Sequence, residues 1–307
     1  MFELIVTYGS SGQRLARALA KVSKAKLVTT STREFPDGEI CVRVLGCVTG
    51  EDVVVVQSMG MRPNHYLVEY CLLVDALRGT GCRSVTGVVP YLAYARQDSR
   101  FRHGEPLSFK AVAKMMESAG TDRLITVDTH LHRFKELSEV FSIPSTNISA
   151  MPLLAEYYAK RHGAVNAVVV GPDVESEQWA VVVSKALSTD YVILRKSRLG
   201  DSEVRITGSV PVKGRTAILV DDIVSTGTTL AEVVKKLRRS GAKRVDALVT
   251  HALLTRGALS ALRKAGLSRL ISTDTIPGPA SRVSVAPAIE RTLRGLRPLR
   301  KSPSRSQ

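Results

Sequence analysis

The chain has 307 residues and a mass of 33.3 kDa, so one large domain or two ordinary ones is the expectation. Hydrophobic residues make up 44% and charged residues 23%, with mean hydropathy +0.03, which excludes a disordered protein and allows a sizeable core. Basic residues number 44 against 28 acidic ones, a net charge of +16, and such a balance suits phosphate-rich ligands as well as nucleic acid.

No apolar run approaches the roughly 20 residues of a membrane-spanning helix. The start, Met1 to Val6, carries an acid and runs straight into a strand pattern, unlike a signal peptide, so a cytoplasmic setting is expected. Cys41, Cys47, Cys71 and Cys82 form no CxxC pair and are expected to be buried free thiols, with neither disulfides nor zinc. Six basic residues and no acid lie between Arg291 and Gln307, and the remaining excess is spread along the chain. No zinc finger, RNP-type motif or heptad repeat is present, which argues against nucleic acid as the main partner.

In chain order, short apolar runs predict strands at Leu4–Thr7, Val53–Gln57, Val85–Val89, Leu124–Val127, Ala167–Val170, Tyr191–Leu194, Ala217–Val220, Val245–Thr250 and Leu270–Ser272. Helical periods lie between them. Leu67, Cys71, Val74 and Leu77 share one face, as do Leu230, Val233, Val234 and Leu237, with Gly241 as a stop. This alternation predicts an α/β fold with mostly parallel sheets. Ser142 to Ser149 (SIPSTNIS) reads as a connection between two domains of similar size, 1–146 and 147–296, followed by a basic tail, 297–307, expected to be disordered.

The most informative segment is Ala217 to Thr229 (AILVDDIVSTGTT). An apolar strand ends in Asp221 and Asp222, and a Ser/Thr/Gly turn opens a helix near Thr229. Backbone N–H groups of Ser225, Thr226, Gly227, Thr228 and Thr229 at a helix amino end make an anion cradle, and the acids can accept from a sugar's vicinal hydroxyls. Two further segments stand out. Phe35 to Glu39 (FPDGE) is a turn that exposes an aromatic face beside Asp37 and Glu39. Val89 to Glu105 places Arg96, Gln97, Arg100 and Arg102 after a strand, where forked guanidinium donors suit polyphosphate.

The segment from Asp221 resembles the 5-phosphoribosyl-1-diphosphate (PRPP) motif of type I phosphoribosyltransferases and PRPP synthetases. With the other two segments, in this order and spacing, residues 1 to about 296 resemble the PRPP synthetase (ribose-phosphate diphosphokinase) family. Val55 to Ser58, Val74 to Arg78 and Thr273 to Pro277 share in the resemblance.

That resemblance implies two similar α/β domains of the type I phosphoribosyltransferase-like fold. It implies transfer of the β,γ-diphosphate of ATP to the anomeric hydroxyl of ribose 5-phosphate, with AMP released, and a homo-oligomer with no membrane role. Phe35, Asp37 and Glu39 would contact adenine, and Arg96 and Gln97 would hold the nucleotide. Asp221 and Asp222 would take the 2- and 3-hydroxyls of ribose 5-phosphate, and Ser225 to Thr229 its 5-phosphate. His130 and Asp173 would be ligands at two Mg²⁺ positions, and Lys196 and Arg198, on the segment Leu194 to Asp201, would be the catalytic pair. One departure is Val174 to Trp179 (VESEQW), where the family commonly has a Gly-rich step and an Arg. It motivates an alternative, a non-catalytic regulatory homologue. A base-consuming phosphoribosyltransferase and an anion-binding role of the tail are further readings.

Overall fold

The computed structural model describes residues 4–199, 203–207 and 210–296, with the side chains of 195–199 and 203–207 left aside. The described residues form two units, one running to Ile148 and resuming at Ala286, the other Ser149–Val285. The expectation of a disordered tail, 297–307, lies outside the described residues.

The first unit runs β1 (Leu4–Tyr8), α1 (Gln13–Ser23), β2 (Lys26–Leu27), β3 (Thr30–Glu34), β4 (Ile40–Val44), β5 (Asp52–Val56), α2 (Pro63–Gly79), β6 (Ser84–Val88), α3 (Ser108–Ser118), β7 (Arg123–Val127) and β8 (Ser145–Ile148). Its main sheet has the order β2-β1-β5-β6-β7-β8, and every neighbouring pair is parallel. Ile5, Val53, Val55, Val85 and Leu124 join Leu67, Tyr70, Leu73 and Leu77 of α2 and Phe109 and Met116 of α3 in one core. The alternate residues Val6, Val54 and Val56 belong to the opposite face, as the two-residue period of a strand requires, and α1 packs there on β1 and β5.

The second unit runs α4 (Met151–His162), β9 (Ala167–Gly171), α5 (Glu177–Leu187), β10 (Asp190–Ile193), β11 (Arg195–Leu199), β12 (Glu203–Thr207), β13 (Thr216–Val224), α6 (Thr228–Arg239), β14 (Arg244–Ala252), α7 (Ala258–Lys264), β15 (Arg269–Thr273) and β16 (Ser281–Val283). Its sheet, β10-β9-β13-β14-β15-β16, is again all parallel. Two cores interleave along each strand. Val168, Leu219 and Ala247 meet α6 and α7 through Leu230, Val234 and Leu262, whereas Val169, Ile218 and Leu248 meet α4 and α5 through Leu154, Trp179 and Val183. Each such side chain contributes about 1.5–3 kcal/mol on burial, so a strand apolar on both faces is fixed between two helical layers.

All nine expected strands are present: β5, β6 and β10 start and end one residue earlier than expected, β1, β7, β9 and β15 are extended by one residue at one or both ends, and β13 and β14 are longer by several residues. The expected helix faces hold except at Cys71, which is only half-buried. Three expectations change. The stretch read as a connection, Ser142 to Ser149, contains β8, an edge strand whose partly exposed STNI sequence lacks an apolar run. The last helix, α8 (Ala286–Gly295), returns to the first unit and packs on α1, so residues 286–296 group with the amino-terminal half. Cys82 alone of the four cysteines is buried, while Cys41 and Cys47 are exposed because their strand and loop border a two-stranded ribbon, not a core.

Candidate active site

In the second unit the sheet reverses its winding between β9 and β13: the chain goes from β9 to β10 on one side and from β13 to β14 on the other. The connections then leave a crevice at the carboxyl ends of these two strands, which is where open parallel sheets receive ligands. Asp173 lies two residues beyond β9, and Asp221 and Asp222 open the last four residues of β13. The strand does not end at the acids as expected but runs on to Val224, carried by the pairs Ile223–His251 and Val224–Ala252 with β14.

These carboxylates crowd one another. Burial, then the charges of Asp222 and Asp173, push the Asp221 carboxyl well above the ordinary range. Asp222 is buried, and its backbone N–H donates to Asp221 Oδ1 at 3.0 Å. Such concentrated oxygen donors and negative charge fit a divalent hard cation, which relieves the repulsion that raises Asp221.

Asp173 also explains the departure that follows it. Its Oδ1 accepts from the Ser176 backbone N–H at 3.2 Å, and its own N–H donates to Ser176 Oγ at 3.3 Å, a reciprocal cap on a one-turn 3-10 segment leading into α5. Ser176 lies under Gly171, where a Cβ would meet Ser176 Oγ and Ile193 Cδ1. Trp179 is in the core, while Glu175 and Glu177 point to solvent. The added acids therefore occupy the amino-terminal turn of a helix, where negative charge is favourable.

After β13 the chain turns through Ser225 and Thr226 to Gly227, whose φ of +75° is left-handed, and α6 begins at Thr228. A side chain at Gly227 would be strained by that φ and would press on Leu262 Cγ at 3.2 Å. The Ser225 carbonyl accepts from Thr255 N–H at 3.2 Å, which pins the base of the turn. No acid stands in the first turn of α6. Thr228 turns its N–H and its hydroxyl onto Thr226 Oγ1 at 3.5 and 3.2 Å, and the amino-end N–H groups of the helix with the Thr226, Thr228 and Thr229 hydroxyls make a cradle for an anion.

Lys196 and Arg198 lie on β11, paired antiparallel with β12 at Ile206 and Val204. Their side chains lie outside the described residues. The β12 backbone of this pair runs beside α6, the helix that carries the cradle.

In the first unit, Phe35, Asp37 and Glu39 form the tip of the β3–β4 hairpin, closed by Phe35 N–H to Glu39 O at 2.7 Å. Phe35 is 37% exposed, and the Arg33 guanidinium sits 4.4 Å from its ring centroid, so one face of the ring is covered and the other remains for stacking. The hairpin was not predicted, because its half-exposed strands, TSTRE and ICVRV, carry no continuous apolar run. Arg96 is exposed. Gln97 is held by Ser108 Oγ, which donates to its Oε1 at 2.6 Å, at the start of α3.

His130 follows β7 on a turn fixed by Asn147, whose Oδ1 accepts from Thr129 N–H at 2.9 Å. His132 Nε2 lies 2.8 Å from His130 Nδ1, so one ring donates to the other and orients it. Sequence reasoning gave His132 no role, although the His-x-His spacing was the available signal. The first unit's sheet reverses in the same way between β1 and β5. There the crevice is filled: buried Glu69 of α2 accepts from Ser10 N–H at 2.7 Å, Ser10 Oγ at 2.7 Å, Thr32 Oγ1 at 2.6 Å and Gln57 Nε2 at 2.6 Å. Among the candidate groups, Asp173, Asp221, Asp222 and the 225–229 turn share one crevice of the second unit. Phe35, Asp37, Glu39, Arg96, Gln97 and His130 belong to the first unit at three separate turns.

Comparison with known proteins is consistent along the chain. Residues 4–120 match the family described as the N-terminal domain of ribose phosphate pyrophosphokinase, and residues 136–278 match the phosphoribosyl transferase domain. The ribose-phosphate pyrophosphokinase of Methanopyrus kandleri is 42% identical over 95% of this chain and 99% of its own length. That of Methanobrevibacter smithii is 38% identical over 93% of this chain and 98% of its own. The crystal structure of phosphoribosylpyrophosphate synthetase from Mycobacterium smegmatis superposes with a TM-score of 0.84 at 32% identity, covering 95% of this chain and 98% of that one.

Proposed function

Since the chain belongs to the ribose-phosphate pyrophosphokinase family, we propose that it transfers the β,γ-diphosphate of ATP to the anomeric hydroxyl of ribose 5-phosphate, giving PRPP and AMP, through the residues assigned below. The observation that carries the assignment is the switch-point crevice of the second unit, where three carboxylates face a helix amino end free of acids.

Ribose 5-phosphate binds with its 5-phosphate on the N–H groups and hydroxyls of Ser225, Thr226, Gly227, Thr228 and Thr229, and its 2- and 3-hydroxyls donate to Asp221 and Asp222. ATP is held by Arg96 and Gln97, and its adenine stacks on the open face of Phe35, with Asp37 and Glu39 as acceptors. Asp37 already accepts from Glu39 N–H at 3.2 Å, which sets the turn in which it works. Lys196 and Arg198 place positive charge around the transferring diphosphate. Phosphoryl transfer asks a protein mainly for in-line positioning and electrostatic stabilisation, so cations on a hairpin next to the cradle's helix meet its chief demand.

Asp173 and His130 are proposed ligands at two separate Mg²⁺ positions. When bound, Mg²⁺ supplies charge neutralisation on the polyphosphate. Asp173 fits through its carboxylate in a crowded acidic crevice, and His130 through an imidazole oriented by His132. A homo-oligomer and a cytoplasmic setting complete the proposal; no helix among the described residues is long and apolar enough to cross a membrane. The Val174 to Trp179 departure builds a capped helix start, so the non-catalytic reading draws no support from it.

The test is product analysis with ATP labelled at the β-phosphorus. Label in PRPP with unlabelled AMP is the expected result. Label retained on the adenosine product would contradict diphosphoryl transfer.

A further inference from the structure

The opposite end of the second unit's sheet, unlike the acidic crevice, is cationic. The strands β13, β14 and β15 begin there at Thr216, Arg244 and Arg269, roughly 16 Å along β13 from Asp221. Two open cavities border this end. One, of about 510 Å³, is lined by Arg238, Lys243 and Arg244; the other, of about 270 Å³, by Arg263, Arg269 and Arg282. His162 and Ser268 line both, and no carboxylate lines either.

Helix dipoles account for only part of this charge. The carboxyl-terminal turns of α4, α6 and α7 carry Lys160, Arg161, His162, Lys236, Arg238, Arg239, Arg263 and Lys264, a favourable placement for cations. Lys243, Arg244, Arg269 and Arg282 are on strands or connections and have no such reason to gather. One buried acid answers them. Asp246 Oδ2 lies 3.0 Å from Arg244 Nε and 3.2 Å from Arg269 Nη1, and accepts from Tyr158 O–H at 2.7 Å. Two guanidinium groups thus share one carboxylate. Arg238 is committed to the Ala242 and Lys243 carbonyls, whereas Lys243 and Arg263 make no side-chain bond among the described residues.

We infer that the amino-terminal end of this sheet is a second anion site, separate from the switch-point crevice, that binds a small polyphosphate. Its wall of forked guanidinium donors matches phosphate oxygens, and its positive charge exceeds what the single carboxylate of Asp246 offsets. The potential registers at His162, whose imidazole is held below its ordinary range by burial first, then by Arg269, with Arg244 and Arg161 adding to it against the opposing pull of Asp246. An anion in either cavity would oppose the arginines' part of that shift.

The chain contains six histidines, so selective labelling resolves His162 as a local reporter by NMR. The experiment titrates the full chain with inorganic tripolyphosphate at fixed ionic strength and compares it with the Lys243→Gln/Arg263→Gln variant, neither residue belonging to the proposed active site. Saturable movement of the His162 signal with a rise in its pKa, weakened at least tenfold in the variant while PRPP formation is unchanged, is the expected result. A parallel titration with orthophosphate shows whether one phosphate suffices. An unmoved His162 signal while tripolyphosphate shifts His130 or His132 overturns the inference, as does a response confined to a single-stranded oligonucleotide, since the surface would then be a nucleic-acid face.

Discussion

Gly227 and Tyr158 illustrate at the residue scale what the two ends of one sheet require. Gly227 has φ +75° and a Leu262 carbon 3.2 Å from where a Cβ would stand. Gly227→Ala brings left-handed strain of about 1–2 kcal/mol and tilts the first turn of α6. We expect KM for ribose 5-phosphate to rise several-fold while KM for ATP stays near its native value; equal changes in both would deny the turn its phosphate role. Tyr158 is pushed up to about 12 by burial and by its bond to Asp246. An unfolded tyrosine ionises near 10, so this group's contribution is complete below pH 10 and is lost as pH rises towards 12, because the unfolded chain releases the proton first. Tyr70, also raised by burial, acts in the same direction. Tyr158→Phe should therefore flatten part of the alkaline fall in urea-unfolding stability between about pH 10 and 12. An unchanged slope would show that Tyr158 titrates normally.

Elements differed in how far the sequence disclosed them. Strands such as DVVVV and AVVVG are buried on both faces and announce themselves by composition. The hairpin β3–β4 and the edge strand β8 have one face in water and no run to count, so their pairing partners, distant in sequence, decide them. The cradle was readable because its residues are contiguous: Asp221, Asp222 and Thr226 to Thr229 must meet wherever the strand and helix form. His132 beside His130, Ser176 capping onto Asp173, and Arg33 over Phe35 needed coordinates. So did Glu69, a charged residue in a helix that reads as solvent-facing yet is wholly buried. It fills the crevice in the first unit that, in the second, is open to ligand, and ties the hairpin at Thr32 to the loop after β1. Glu69→Ala leaves its buried donors unpaired and should cost about 3 kcal/mol or more, read from the urea midpoint. A loss below about 0.5 kcal/mol would mean that water replaces the carboxylate.

For the whole molecule, two sheets with the same winding have been put to different uses. Both reverse next to their first pair of central strands, but in the first unit the reversal is filled by buried Glu69 and its donors, whereas in the second Asp173, Asp221 and Asp222 crowd one another there beside the acid-free start of α6. The first carries an aromatic hairpin tip, Arg96 with Gln97, and the His130–His132 pair at other turns. The central claim is that diphosphate transfer depends on positive charge delivered by the β11–β12 hairpin, and comparing kcat for PRPP formation in the native chain and in Lys196→Ala/Arg198→Ala tests it most directly. A fall of about two to four orders of magnitude, with KM for ribose 5-phosphate little changed, is the predicted result. A variant that retains most of its kcat would contradict the assignment of that hairpin to catalysis.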